Sequence, residues 1–341
     1  MNEEANKEIH LKNRPIGLPT EEDFQLVETA IPEPGAGELL VRNIFMSVDP
    51  YMRGRMYDVK SYVPPFQLNQ PLTGGCVGQV LQSSNDRFQE GDYVLGFQGW
   101  REYFVSNGAM LTKLDPALGP LQAFLGALGM PGFTAYIGLL EIGQLAEKDT
   151  VFVSAAAGAV GSVACQIAKL KGCSVLGSTG SEQKVAWLVN EVGVNAAINY
   201  KTAENLSAEI GQQCPDGLDV YFENVGGTHL EAALANMNDF GRIICCGMIA
   251  HYNATQPLPA PRNLTTVISK RLSLKGFIIN DHQNRQADFL KEMGQWLAAG
   301  KIKRKETIVE GIANAPAAFI GLFKGENIGK MLVQLGPNPA I

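Results

Sequence analysis

The stretch that decides the fold is TVFVSAAAGAVGSVACQIAKL, residues 150–170. Its first residues are β-branched or aromatic and read as a buried strand. A run of small residues follows, Ala156-Ala157-Gly158-Ala159-Val160-Gly161, and then an apolar helical pattern over 159–172. Strand, glycine loop and helix in that order form a dinucleotide fingerprint, here with Ala156 in the place of the first glycine. Small residues are needed for two reasons. The backbone has to approach a pyrophosphate closely, and the helix has to pack tightly on its strand. The anion then rests on free N–H groups at the positive end of the helix.

Working outward, the same rhythm repeats. Strands are expected at Thr150–Ala155, Ser174–Thr179, Ala196–Tyr200, Leu218–Asn224, Arg242–Gly247 and Leu272–Ile279, with helices at 159–172, 181–192, 203–213, 227–238 and 283–299. Alternation of this kind predicts right-handed crossovers and a parallel sheet, and six strands match a doubly wound α/β (Rossmann) domain. Before residue 126 the pattern differs. Short apolar runs at 38–48, 78–83 and 92–97 are separated by turn signals such as Pro34-Gly35-Ala36-Gly37, which predicts a β-rich, barrel-like domain. The tail returns to β-like pieces such as KMLVQL, 330–335. The expected division is 126–299 for the dinucleotide-binding domain, with 1–125 and 300–341 forming the β-rich domain.

Composition narrows the function. The 341 residues carry 28 basic and 34 acidic side chains, a net charge of −6. Nothing in this balance favours nucleic acid or an anionic membrane. The start, MNEEANKEIH, lacks the basic and apolar regions of a signal peptide, and no run of about 18 apolar residues predicts a membrane span. The six cysteines form no CxxC pair and read as reduced thiols of a cytoplasmic protein. A zinc site is not expected either. The β-rich part holds only Cys76 and His10, while His229, His251 and His282 all lie in the second half. Without Lewis-acid activation, hydride transfer needs an acceptor that is already electrophilic.

The end of the second strand separates NAD from NADP. An NAD enzyme usually places an acid there to bind the ribose hydroxyls. Here the segment reads Val175-Leu176-Gly177-Ser178-Thr179-Gly180-Ser181, with no acid, and Lys184 follows at the start of the next helix. A 2′-phosphate meets no repulsion and finds an ammonium partner. NADPH is the cofactor this implies. A solvated helix lysine is the plainer reading of Lys184.

These residues resemble a known family. SVDPYMRGRM (47–56), AAAGAVGS (155–162), GSTGSEQK (177–184), INY (198–200), YFENVGG (221–227), CCGMIAHYN (245–253), KGFII (275–279) and GENIGKM (325–331) are together similar to the zinc-independent medium-chain dehydrogenase/reductases. The branch is that of leukotriene 12-hydroxydehydrogenase/prostaglandin reductase, 2-alkenal reductase and curcumin reductase. The resemblance runs over nearly the whole chain and implies a GroES-like β-rich catalytic domain. It implies that Ala157, Gly158, Ala159, Val160 and Gly161 cradle the pyrophosphate. Gly180, Ser181, Lys184 and Tyr200 would meet the 2′-phosphate, and Asn224 the nicotinamide ribose. Cys246, Gly247, Met248 and Tyr252 would line the nicotinamide and substrate side, closed over by Phe277, Ile278, Ile279 and Asn327. Tyr51 would face the substrate.

The reaction so implied is reduction of a carbon–carbon double bond conjugated to a carbonyl in a small enal or enone. Hydride adds to the β-carbon and the carbonyl oxygen becomes an enolate, which donors such as Tyr252, Tyr51 and the cofactor ribose would stabilise. Plainer readings stand beside these. Tyr51 could cap a strand end, and Tyr252 lies in a polar, proline-rich segment. His251 suits pH 7 chemistry, but most loop histidines are not catalytic. Arg53 and Arg55 could bind an acidic substrate or serve structure. The alternatives for the whole chain are an NADPH quinone reductase and a non-catalytic NADPH-binding protein. Strand 272–279, if it is an unpaired edge, would pair with its copy in a homodimer.

Overall fold

The computed structural model describes residues 5–338. The chain forms two compact units, one of Gly126–Lys305 and one built from both chain ends, up to Leu125 and from Glu306 onward.

In the Gly126–Lys305 unit, six strands form one parallel sheet: β1 (Thr150–Val153), β2 (Ser174–Thr179), β3 (Ala196–Asn199), β4 (Leu218–Glu223), β5 (Met237–Cys245) and β6 (Ser273–Gly276). Their order is β3-β2-β1-β4-β5-β6. This is the doubly wound plan expected from the sequence, and its strand order reverses direction between β1 and β4. The central strands are buried almost throughout, as sheets covered on both faces require. Helices α1 (Ala159–Leu170), α2 (Glu182–Trp187), α3 (Leu206–Gln213) and α4 (Gly227–Asn236) connect successive strands. Ser181 caps α2 by accepting from the Lys184 N–H at 3.4 Å, and Asn205 caps α3 by accepting from Ala208 N–H at 3.0 Å.

Several strand ends depart from the sequence reading by one to five residues, and two of them bear on the site. β5 begins five residues before Arg242, through a kink at Phe240, whose φ is 60°. β6 stops at Gly276, not Ile279, because its last pairing is Cys245 with Gly276. Beyond that point β5 offers no ladder, so Phe277 and Ile278 leave the sheet.

The other unit contains a mixed sheet of seven strands. Its central strand, Leu39–Ser47, pairs with Cys76–Ser83, Tyr103–Ser106 and Lys330–Gln334. A separate antiparallel pair joins Asn6–Leu11 to Phe24–Thr29. The core centres on Trp100, which stacks on Phe24 at 6.1 Å and meets Phe319 edge-on at 6.1 Å. Among the described residues, no helix is long and apolar enough to cross a membrane.

Candidate active site

The crevice at the carboxyl ends of the strands begins with the loop between β1 and α1. A Cβ placed on Gly161 would lie 2.4 Å from the Ala155 carbonyl oxygen and 2.9 Å from the Ala156 Cα. Only glycine lets the helix approach its own loop this closely. The alanine at the front of the motif is accommodated from the neighbouring strand: a Cβ on Gly177 of β2 would stand 2.9 Å from the Ala156 methyl. The left-handed backbone position falls one residue earlier than the motif suggests, at Ala155, with φ 47°. For a residue with a Cβ this costs about 1 kcal/mol. No side chain caps α1 and no acid occupies its first turn. Its leading N–H groups, from Ala159, Val160 and Gly161, are therefore suited to an anion.

At the end of β2 the geometry suits a second anionic group. A Cβ on Gly180 would meet the Tyr200 hydroxyl at 3.1 Å and the Lys201 Cε at 3.2 Å, so both side chains lie over this glycine. Lys184 has its ammonium pKa lowered, first by burial and then by repulsion from Lys201. Two cations held together in this way favour a doubly charged oxyanion between them. Beneath Tyr200, the ring of the buried His229 stands edge-on at 4.9 Å. Burial pushes its pKa down to about 4, so it is neutral there. Lys201 and His229 escaped the sequence reading.

The other end of the crevice is formed by β4, β5 and β6. Asn224 is fastened to the end of β1: its side-chain amide donates to the Ser154 carbonyl at 2.7 Å, and its N–H to the Ser154 hydroxyl at 2.9 Å. A cleft of about 550 Å³ opens where β5 and β6 end, lined by Cys245, Cys246, Gly247 and Met248 on one side and Gly276, Phe277, Ile278 and Asp281 on the other. The structure thus gathers Cys246, Gly247, Met248, Phe277 and Ile278 in one place. Ile279 instead starts the next helical turn, Ile279–Arg285. Tyr252 follows the turn Ile249–His251, which is pinned by N–H bonds from Ile249 to the Asn224 carbonyl (3.1 Å) and from Ala250 to that of Val225 (3.0 Å). Its hydroxyl reaches back to Gly247, 3.2 Å from where a Cβ would stand. His251 is exposed and packs beside Gly226.

Tyr51 and Asn327 belong to the other unit. Tyr51 precedes the short helix Met52–Arg55. Burial and the nearby Asp49 raise its phenol pKa, so it stays protonated. Asn327 donates to the Gly329 carbonyl at 2.7 Å. Between their segments lies a buried ion pair, Lys330 to Asp49 at 3.2 Å. Arg53 donates to the carbonyls of Pro15 (3.0 Å) and Gly17 (2.9 Å), and Arg55 to those of Pro64 (3.0 Å) and Thr73 (3.3 Å). Both arginines therefore tie loops together, which favours their structural reading.

A glycine-cradled helix end, a lysine pair at the β2 terminus and an open cleft on one parallel sheet define a dinucleotide-binding oxidoreductase. A family model described as the N-terminal domain of oxidoreductase matches residues 7–114, and one described as zinc-binding dehydrogenase matches residues 159–298. The NADPH-dependent curcumin reductase of Escherichia coli is 43% identical, covering 97% of this chain and 97% of its own. The 2-alkenal reductase (NADP(+)-dependent) of Nicotiana tabacum is 42% identical, covering 98% of each. The crystal structure of CurA from Vibrio vulnificus in complex with NADPH aligns with a TM-score of 0.92 at 43% identity, covering 97% of this chain and 99% of that one. The chain belongs to the medium-chain dehydrogenase/reductases, in the branch of the curcumin and 2-alkenal reductases. Among the described residues, no group of three or more His, Cys, Asp or Glu is arranged to hold a metal ion.

Proposed function

We propose that this protein reduces the carbon–carbon double bond of α,β-unsaturated aldehydes and ketones with NADPH. The observation that carries the reading is the pairing, on one unit, of the Lys184–Lys201 site with a cleft whose wall residue Gly247 lies beside the Tyr252 hydroxyl. The residues fit the cofactor along its length. The α1 terminus with Ala157–Gly161 takes the pyrophosphate. Gly180, Ser181, Lys184, Tyr200 and Lys201 take the 2′-phosphate end. Asn224 and the Cys246–Met248 segment take the nicotinamide end, with Phe277 and Ile278 across the cleft.

When bound there, NADPH supplies hydride to the β-carbon of the substrate. The chain's own part is to hold the carbonyl. The electron pair of the double bond moves toward the carbonyl oxygen, and the Tyr252 O–H donates a hydrogen bond to it as charge develops; a proton taken up from solvent at the α-carbon completes the reduction. Tyr51, kept protonated, is the second candidate donor. Cys245 and Cys246 line a cleft that receives a soft electrophile. Burial first, and Glu223 beside them, push their thiol pKa values up to about 11 and about 12. As thiols rather than thiolates they are poor nucleophiles toward the substrate. Loss of NADPH absorbance with a medium-length 2-alkenal, run beside a quinone and beside NADH, tests the reading. Turnover of the alkenal with NADPH is expected; turnover of the quinone alone would reject the substrate class and leave the cofactor assignment standing.

Two features extend the proposal. The six cysteines are all free thiols, which suits a reducing, cytoplasmic setting. β6 is one of the sheet's two edge strands, and all four of its residues are exposed. Ile268 (79% exposed) and Phe240 (68% exposed) add apolar surface in the flanking segments. Two copies pairing β6 to β6 about a two-fold axis would form a continuous sheet. Light scattering is expected to give twice 36.8 kDa for the wild type, and a monomer for Lys275→Pro, which removes one N–H of β6 and its strand geometry. A monomeric wild type would contradict the pairing.

A further inference from the structure

Glu223 ends β4 at the point where the strand order reverses, and its side chain is fully buried. One carboxylate oxygen, Oε1, accepts four hydrogen bonds: from the Tyr221 hydroxyl at 2.7 Å, the Val225 N–H at 2.6 Å, the Gly226 N–H at 2.9 Å and the Ser154 hydroxyl at 3.2 Å. The other oxygen, Oε2, is buried with no hydrogen-bond partner. The backbone carbonyl of the same residue accepts the N–H groups of Cys246 at 3.0 Å and Gly247 at 3.1 Å.

A buried carboxylate with one bare oxygen is costly, and an apolar side chain would avoid that cost. What an apolar side chain cannot do is satisfy the two N–H groups of the turn after β4. Gly226 is left-handed there, with φ 78°, so the turn cannot pass these donors to a regular ladder. The same carboxylate reaches the Ser154 hydroxyl, which accepts from the Asn224 N–H. The end of β1, the turn after β4 and the start of the cleft wall after β5 therefore converge on one residue.

We propose that Glu223 is a positioning residue for the nicotinamide end of the cofactor site. Its side chain fixes the turn that carries Asn224, and its backbone carbonyl holds the Cys246–Gly247 wall, while the phosphate end is held by a separate set of residues. This rests on the cofactor reading given above.

The separation of the two ends makes it testable by binding alone. NADPH and 2′,5′-ADP, which carries only the phosphate end, are titrated against wild type, Glu223→Ala and Glu223→Gln. Glu223→Ala is expected to weaken NADPH about tenfold or more, because two turn donors and a phenol lose their acceptor. Binding of 2′,5′-ADP should stay within about twofold, as expected for a distant, independent site. Glu223→Gln keeps an oxygen at the Oε1 position and should recover most of the NADPH affinity. If Glu223→Ala does not fold, Glu223→Asp, which withdraws the carboxylate from the turn, gives the same comparison. NADPH and 2′,5′-ADP weakening in parallel would mean general loosening and overturn the proposal, as would unchanged NADPH binding in the alanine variant. Wild type binding neither ligand would reject the underlying cofactor site itself.

Discussion

Replacing Tyr252 by phenylalanine is expected to lower kcat for a 2-alkenal roughly 100-fold, in line with the loss of one oxyanion donor. The ring stays, so the packing of the turn after Ile249–His251 and its two backbone anchors are kept. Only the hydroxyl that reaches Gly247 at the cleft is lost. The loss should fall on kcat rather than on NADPH binding, because the enolate charge exists in the transition state and not in the ground state. Stopped-flow reduction at saturating NADPH separates the two quantities. Full turnover in the variant would remove Tyr252 from the chemistry and leave Tyr51 as the candidate.

The second large effect belongs to Lys184. Lys184→Ala should raise KM for NADPH on the order of 10–100-fold, the range expected when a hydrogen bond to a charged group is deleted. NADH has no 2′-phosphate, so its KM should barely move. The sign follows from the local electrostatics. Lys184 is partly desolvated and lies close enough to Lys201 for the two ammoniums to repel. A phosphate relieves that repulsion, and an NADH ribose does not. If both coenzymes lost affinity equally, Lys184 would be supporting the fold of α2 rather than reading the phosphate.

How much of this could be read from the sequence depends on the range of each signal. The glycine loop and the six-strand plan were legible because each is local: a strand, small residues and a helix in unbroken order. The place of Lys184 followed from its distance along the chain from that loop. Lys201 was not legible, because a lysine after a strand looks the same whether or not the fold carries it over Gly180. His229 likewise gave no signal, since its approach to Tyr200 joins separate elements. The left-handed backbone at Ala155 gave no signal in the sequence, because an alanine seldom adopts it. The length of β6 was overread because Phe277, Ile278 and Ile279 have strand propensity, while the partner ladder ends at Cys245. Glu223 lay hidden within YFENVGG, where an acid at a strand end suggests solvent. Only the fold shows it buried beneath the turn it holds.

The central claim is that hydride goes to a carbon–carbon double bond. The most direct measurement uses NADPH carrying deuterium at the transferred position of the nicotinamide ring, with a 2-alkenal as acceptor and the product examined by mass spectrometry and NMR. The expected product is the saturated aldehyde with deuterium on its β-carbon. An allylic alcohol with deuterium on the former carbonyl carbon would contradict it, and would make the protein a carbonyl reductase built on the same cofactor site.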